Sequence, residues 1–184
     1  WFAFNPAFAA NWDECFLDQI FSRGFFVGFK TLCSYWCVKI NDPKFTLMWE
    51  YAEKHRLPIL NHTWDDKWNS PSMLDDVAPK YPNANFILGH SGGSDQGRVE
   101  SIELASKYPN VFLESCGSFC SGHLMADAIE KLGSDRIIFG SDTNGHSQAY
   151  ELGALLSLPL ADELLLPALG ANIERLLQLH CQNG

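Results

Sequence analysis

Three polar residues close short apolar runs in this 184-residue chain, and all three are of types that bind divalent metal. His62 ends "LPILNH" (57–62), His90 ends "NFILGH" (85–90) and Asp142 ends "RIIFGSD" (136–142). Neutral imidazole nitrogen and carboxylate oxygen are the usual zinc donors outside cysteine sites. A catalytic ion keeps one position open for water and lowers its pKa toward neutrality, and a carboxylate beside that water can take its proton. Asp142 is therefore the candidate for both ligand and general base, His62 for ligand, and His90 for ligand or catalytic group. Taken singly, each has a plainer reading. A strand-end histidine is more often structural, and an aspartate after a strand commonly caps the next helix.

Other residues sit where they could line the same site. Lys30 ends "FFVGFK" (25–30) and could bind substrate as a cation or bridge metals as a carbamate; the alternative is a solvent-facing lysine with a buried stem. Trp64 and His146 follow two of the runs and could line a substrate pocket. Glu114 and Ser115 end "NVFLES" (110–115), and alternation turns only one of them inward. His55, His123 and His180 lie in helix-like stretches and read as surface or capping residues.

Only a particular architecture brings these residues together. The apolar runs are "WFAFN" (1–5), 25–30, 57–62, 85–90, 110–115 and 136–142. Short, almost wholly apolar runs suit strands buried on both faces, as in a parallel sheet. Helix-like stretches separate them. The stretch 11–24 opens on Asn11 as a cap and closes at Gly24. The stretch 42–56 opens with the cap and first-turn pair Asp42-Pro43 and places Phe45, Met48, Trp49 and Ala52 on one face. Residues 70–82, 98–109, 123–133, 146–158 and 161–179 follow the same pattern. The run-end residues Asn5, Lys30, His62, His90, Ser115 and Asp142 recur every 25–32 positions. Such β/α alternation fits either a doubly wound sheet or a (β/α)8 barrel. "HSGGSDQG" lacks the G-x-G-x-x-G spacing of a dinucleotide turn. A barrel gathers its chemistry at the C-terminal ends of several strands, where His62, His90 and Asp142 fall. The expectation is an α/β chain forming one incomplete TIM barrel over residues 1–184, with about six units present and the first strands missing.

Composition narrows the function. The net charge is −9, with 22 acidic against 13 basic residues. Without a basic cluster, neither a nucleic-acid surface nor a polybasic membrane patch is expected. No apolar run approaches the ~20 residues of a membrane span. The six cysteines lack the usual zinc spacing and read as reduced, packed thiols. With no signal-like segment, the expectation is a cytoplasmic protein acting on a small molecule, possibly as a homo-oligomer.

The blocks "GFKTL", "DPKFTLMWEYAEKHRLPILNHTW", "YPNANFILGHSGG", "YPNVFLESCGS", "EKLGSDRIIFGSD" and "GANIERLLQL" resemble successive strand-end and closing-helix blocks of the amidohydrolase superfamily. The branch they resemble is the amidohydrolase-related one that includes aminocarboxymuconate-semialdehyde decarboxylase. The resemblance implies a metal-dependent barrel enzyme that uses zinc, with manganese or iron as alternatives. It implies that His62 is a metal ligand, that His90 is a second ligand or orients the reactive water, and that Asp142 is a ligand and proton shuttle. It also implies a first-strand His-x-His pair, which this chain lacks; "WFAFNP" resembles the family's third strand instead. Three functions follow as expectations: a metal-dependent hydrolase, a metal-dependent decarboxylase, or an inactive fragment or scaffold lacking the first-strand ligands.

Overall fold

The computed structural model describes residues 1–117, 122–143 and 145–181, with side chains described as far as residue 177. The apolar runs form six parallel strands paired in chain order. They are β1 (Phe2–Ala3), β2 (Phe29–Thr31), β3 (Pro58–His62), β4 (Asn85–Gly89), β5 (Val111–Glu114) and β6 (Ile137–Ile138). The helices are α1 (Glu14–Phe21), α2 (Cys33–Trp36), α3 (Thr46–His55), α4 (Asp95–Lys107), α5 (Gly122–Leu132), α6 (Gln148–Leu156), α7 (Asp162–Leu165) and α8 (Ala171–Cys181). Strand order never reverses, which is the topology of a barrel; a doubly wound sheet reverses at a switch point. The chain is an incomplete (β/α)8 barrel. Among the described residues β1 and β6 are not paired with each other.

Alternation along the strands separates two apolar clusters. Phe29, Ile59, Phe86, Leu88, Val111, Leu113 and Ile137 face outward and pack under helix residues such as Leu17, Met48, Ala52, Leu104 and Ile129. Full burial of such side chains contributes about 1.5–3 kcal/mol each. Leu60, Ile87, Phe112 and Ile138 face inward and meet Ile173 and Leu176 of α8. Register places Lys30, Leu60, Ile87 and Phe112 side by side across β2–β5. Because side chains repeat every two residues, the next inward layer carries His62, Gly89 and Glu114.

Several local expectations need correction. The first helix opens at Glu14, not near Asn11: Asp13 caps it by accepting the Phe16 N–H, and Asn11 lies in a preceding 3-10 turn. Residues 70–82 form two 3-10 turns, Pro71–Asp76 and Ala78–Lys80. Pro79 explains the break, because proline offers no N–H and disfavours helical geometry before it. The stretch 161–179 is divided into α7, a 3-10 turn at Leu166–Leu169 and α8, with Pro167 and Gly170 at the interruptions. β6 is only two residues long, so Asp142 lies in the loop beyond it. Asp42 caps as expected, accepting the Lys44 N–H at 2.9 Å, and Phe45, Met48, Trp49 and Ala52 are all buried. No helix among the described residues is long and apolar enough to cross a membrane.

Candidate active site at the strand ends

His62 is the last residue of β3 and shares the inward face with Leu60, while its neighbour Asn61 points the other way. Asn61 is buried in the wall, accepting the Thr31 hydroxyl at 3.1 Å and donating to the Ile59 carbonyl at 3.0 Å. This fastens β3 to β2 directly behind the imidazole. The His62 and His90 rings converge, with centroids 4.7 Å apart and nearly perpendicular planes. Trp64 lies parallel to His62 at 6.3 Å, and Tyr35 meets it edge-on at 5.8 Å. Gly93 lets Trp64 lie there: its φ is +69°, and a Cβ would stand 2.3 Å from the indole.

All six residues singled out from the sequence line one cavity of about 300 Å³. Lys30, His62, Trp64, His90, Asp142 and His146 surround it, with Tyr35 and Gly117. A second cavity of about 270 Å³ runs from Lys30, His90 and Asp142 into the barrel past Leu60, Ile87 and Ile138. Lys30 therefore faces inward as a half-buried cation and is not a solvent-facing lysine. Burial pulls its pKa down, while Glu114, Cys116 and Asp142 pull it up. Burial, helped by His90 and Lys30, lowers the His62 pKa to about 4, so its imidazole is neutral at physiological pH with a free lone pair.

The strand ends are bent to present these groups. His90, Ser91 and Asp142 have φ of 65°, 43° and 46°, in the left-handed region that non-glycine residues seldom occupy. Such backbone clusters at functional sites. Glu114 holds the first bend. Its Oε2 accepts the His90 N–H at 3.0 Å and the Cys116 thiol at 2.8 Å, and its Oε1 accepts the Cys116 N–H at 3.0 Å. Ser91 Oγ donates to the Glu114 carbonyl at 2.6 Å. The Cys116 sulfur stands 3.4 Å from His90 Nδ1.

Sequence reasoning named Glu114 without settling its direction; the structure turns it inward. It read Cys116 as an ordinary packed thiol, and overlooked Tyr35 and Glu151. The short spacing from His90 to the Gly92-Gly93 pair was the available signal for a bend. Nothing local marks Glu151, which arrives from α6. His55, in the last turn of α3, is half-buried and stacks on Tyr51 at 4.2 Å. His123 is exposed. Cys120 and the side chains of His180 and Cys181 lie outside the described residues.

The donor types suit a divalent ion: two imidazoles, one of them neutral through burial, with an exposed carboxylate sharing their cavity. The three are not drawn into a closed cage. Among the described residues, the one trio of ligand-type groups with donor atoms within 4.8 Å of one another is Glu14, Asp18 and His55. That trio lies on α1 and α3, where Lys54 already pairs with Glu14.

Comparison with known proteins gives a consistent result. The amidohydrolase family model matches residues 2–179. An uncharacterised TIM-barrel protein from Bordetella bronchiseptica superposes with a TM-score of 0.76 at 20% identity, covering 91% of this chain and 62% of that one. For 2,6-dihydroxybenzoate decarboxylase from Rhizobium the TM-score is 0.71 at 16% identity, with 89% and 66% covered. For dihydroxybenzoic acid decarboxylase from Polaromonas, solved with manganese and 2-nitroresorcinol, it is 0.66 at 16%, with 89% and 64% covered. At such identities the likeness speaks for the fold, and the chain spans only 62–66% of the length of these structures. No curated protein matches the chain.

Proposed function

The chain belongs to the amidohydrolase family, and from that premise we propose that its strand-end cavity is the site of a divalent-metal-dependent decarboxylase acting on a small carboxylate. The observation that carries this reading is the placement of Lys30. It puts a half-buried cation on the inner wall, in both cavities, level with apolar Leu60 and Ile87 and one layer below His62. Lys30 would orient a substrate carboxylate by charge, and the apolar wall beside it would accommodate neutral carbon dioxide as it leaves. His62, His90 and Asp142 would hold the ion, with zinc or manganese suited to the donors. When bound, the ion supplies Lewis-acid polarisation of a substrate oxygen. Breaking the C–C bond leaves its electron pair on carbon, and Asp142, exposed at the open side of the cavity, would relay to that carbon a proton taken up from solvent. Trp64 and Tyr35 would flank the substrate and exclude water from one side. The two decarboxylases among the structures above support this choice.

A hydrolase is the second reading, favoured by the exposure of Asp142. A carboxylate open to bulk water can draw a proton from a reactive water molecule. The third reading is an inactive scaffold. Purification without chelator, followed by metal analysis and a panel of aromatic and β-keto carboxylates, lactones and amides, tests all three. Carbon dioxide release that is abolished in Asp142→Asn would support the decarboxylase. Hydrolysis of lactones or amides alone would replace it with the hydrolase. Less than ~0.5 metal per chain, with no turnover, would leave the scaffold.

A further inference from the structure

The loop after β6 carries an imidazole that lines the cavity beside a buried carboxylate. His146 is partly exposed and lines the cavity with His90 and Asp142. Its Nδ1 stands 3.6 Å from Oε1 of Glu151, on the first turn of α6. Glu151 is only 4% exposed, although it is charged and lies on a helix whose other early residues face solvent. A charged side chain is seldom so buried unless partners hold it. Burial raises the Glu151 pKa, whereas the Gly117 N–H, just past the end of β5, and His146 favour its ionised form. Gly117 also marks where the two imidazoles face each other. A Cβ there would stand 2.8 Å from His90 Nδ1 and 3.6 Å from His146 Nε2.

We propose that Glu151 is a positioning residue that turns Nδ1 of His146 toward itself and leaves Nε2 facing the space shared with His90, making His146 a further nitrogen donor of the site. A carboxylate beside one ring nitrogen draws the proton to that nitrogen and leaves the other with its lone pair. The same arrangement sets ring orientation and basicity in metal-bound histidines. The donor role rests on the reading of the cavity as a metal site, whereas the positioning role does not. The backbone supports the assignment. His146 N–H donates to the Asp142 carbonyl at 3.2 Å, so the turn that exposes Asp142 also fixes the root of His146.

The test uses the whole 184-residue chain, first without metal. Nitrogen chemical shifts of the imidazole report its tautomer. The Nδ1–H form is expected in the wild type. It should persist in Glu151→Gln, whose amide oxygen can still accept, and give way to Nε2–H in Glu151→Ala. Zinc titration should then show about a 10-fold loss of affinity in Glu151→Ala and less in Glu151→Gln. An Nε2–H form in the wild type overturns the positioning role even if Glu151→Ala fails to fold. So does a tautomer that Glu151→Ala leaves unmoved. Zinc bound equally by wild type and Glu151→Ala overturns the donor role. If the wild type binds no zinc, the metal reading fails while the tautomer still decides the positioning.

Discussion

Glu114 of β5 holds His90 of the neighbouring strand end by its backbone: Oε2 accepts the His90 N–H at 3.0 Å, where φ is +65°. A buried carboxylate thus stabilises the bend that swings the imidazole over the barrel mouth. The arrangement explains why an acid tolerates 6% exposure at the end of an apolar strand. It receives both N–H groups and the thiol within reach.

Glu114→Ala removes the acceptor from two buried N–H groups. Hydrogen bonds to a charged group contribute about 1.5–3 kcal/mol, so a loss of ~2–4 kcal/mol is expected in urea unfolding. Glu114→Gln keeps an acceptor oxygen and should lose about half as much. Equal losses for the two variants would mean that packing, and not hydrogen bonding, sets the cost.

Gly140, in the loop just after the neighbouring strand β6, tests the same carboxylate. A Cβ at this position would stand 1.6 Å from Glu114 Oε1. Gly140→Ala must therefore displace Glu114, at a cost of about 1–3 kcal/mol. Combined with Glu114→Ala, it should cost less than the sum of the two single changes, because the clash disappears. Strict additivity in the double mutant would contradict the contact.

The lowered pKa of His62 predicts acid sensitivity in the chelator-treated protein. The unfolded chain takes up this proton near pH 6.5, whereas the folded chain resists it until about pH 4. Between those values the unfolded state binds more protons, so stability rises with pH. The contribution is complete above about pH 6.5 and lost by pH 4. About 2 kcal/mol of this slope should vanish in His62→Gln, allowing for residual solvent around the ring. Urea midpoints at pH 7, 5.5 and 4.5 for both proteins give the comparison.

The thiols should divide by burial. Cys15 and Cys37 are exposed, whereas Cys33 and Cys116 are buried. Burial pushes the Cys33 thiol up to about 12, and it also raises Cys116, where Glu114 adds to the effect. Brief alkylation at pH 8, read residue by residue by mass spectrometry, should mark Cys15 and Cys37 at least ~10-fold faster. Rapid labelling of Cys116 in the native protein would mean that the mouth opens readily.

Much of this architecture was legible in the residues. The repeat of apolar runs gave the number and order of strands, because each run is buried on both faces and looks alike wherever it lies. His62, His90, Asp142, Lys30, Trp64 and His146 do share one cavity, since strand-end positions in a barrel converge whatever the details of packing. The finer features depended on contacts distant in sequence. Glu114 could be placed inward only by the register that aligns Phe112 with Ile87. Glu151 looked like any acid in the first turn of a helix until Gly117 and His146 were seen beside it. Helix starts failed where two caps competed, as Asn11 and Asp13 did, and where proline permitted a turn but not a full helix.

The left-handed residues at His90, Ser91 and Asp142 carry a consequence for stability. Glycine adopts such backbone without steric cost, whereas other residues pay about 1 kcal/mol or more. Asp142→Gly should therefore melt no lower than the wild type while losing the carboxylate that the mouth presents. Selection for stability alone would drift toward erasing these side chains. Stability and the presentation of these side chains at the mouth therefore pull in opposite directions at the same three positions.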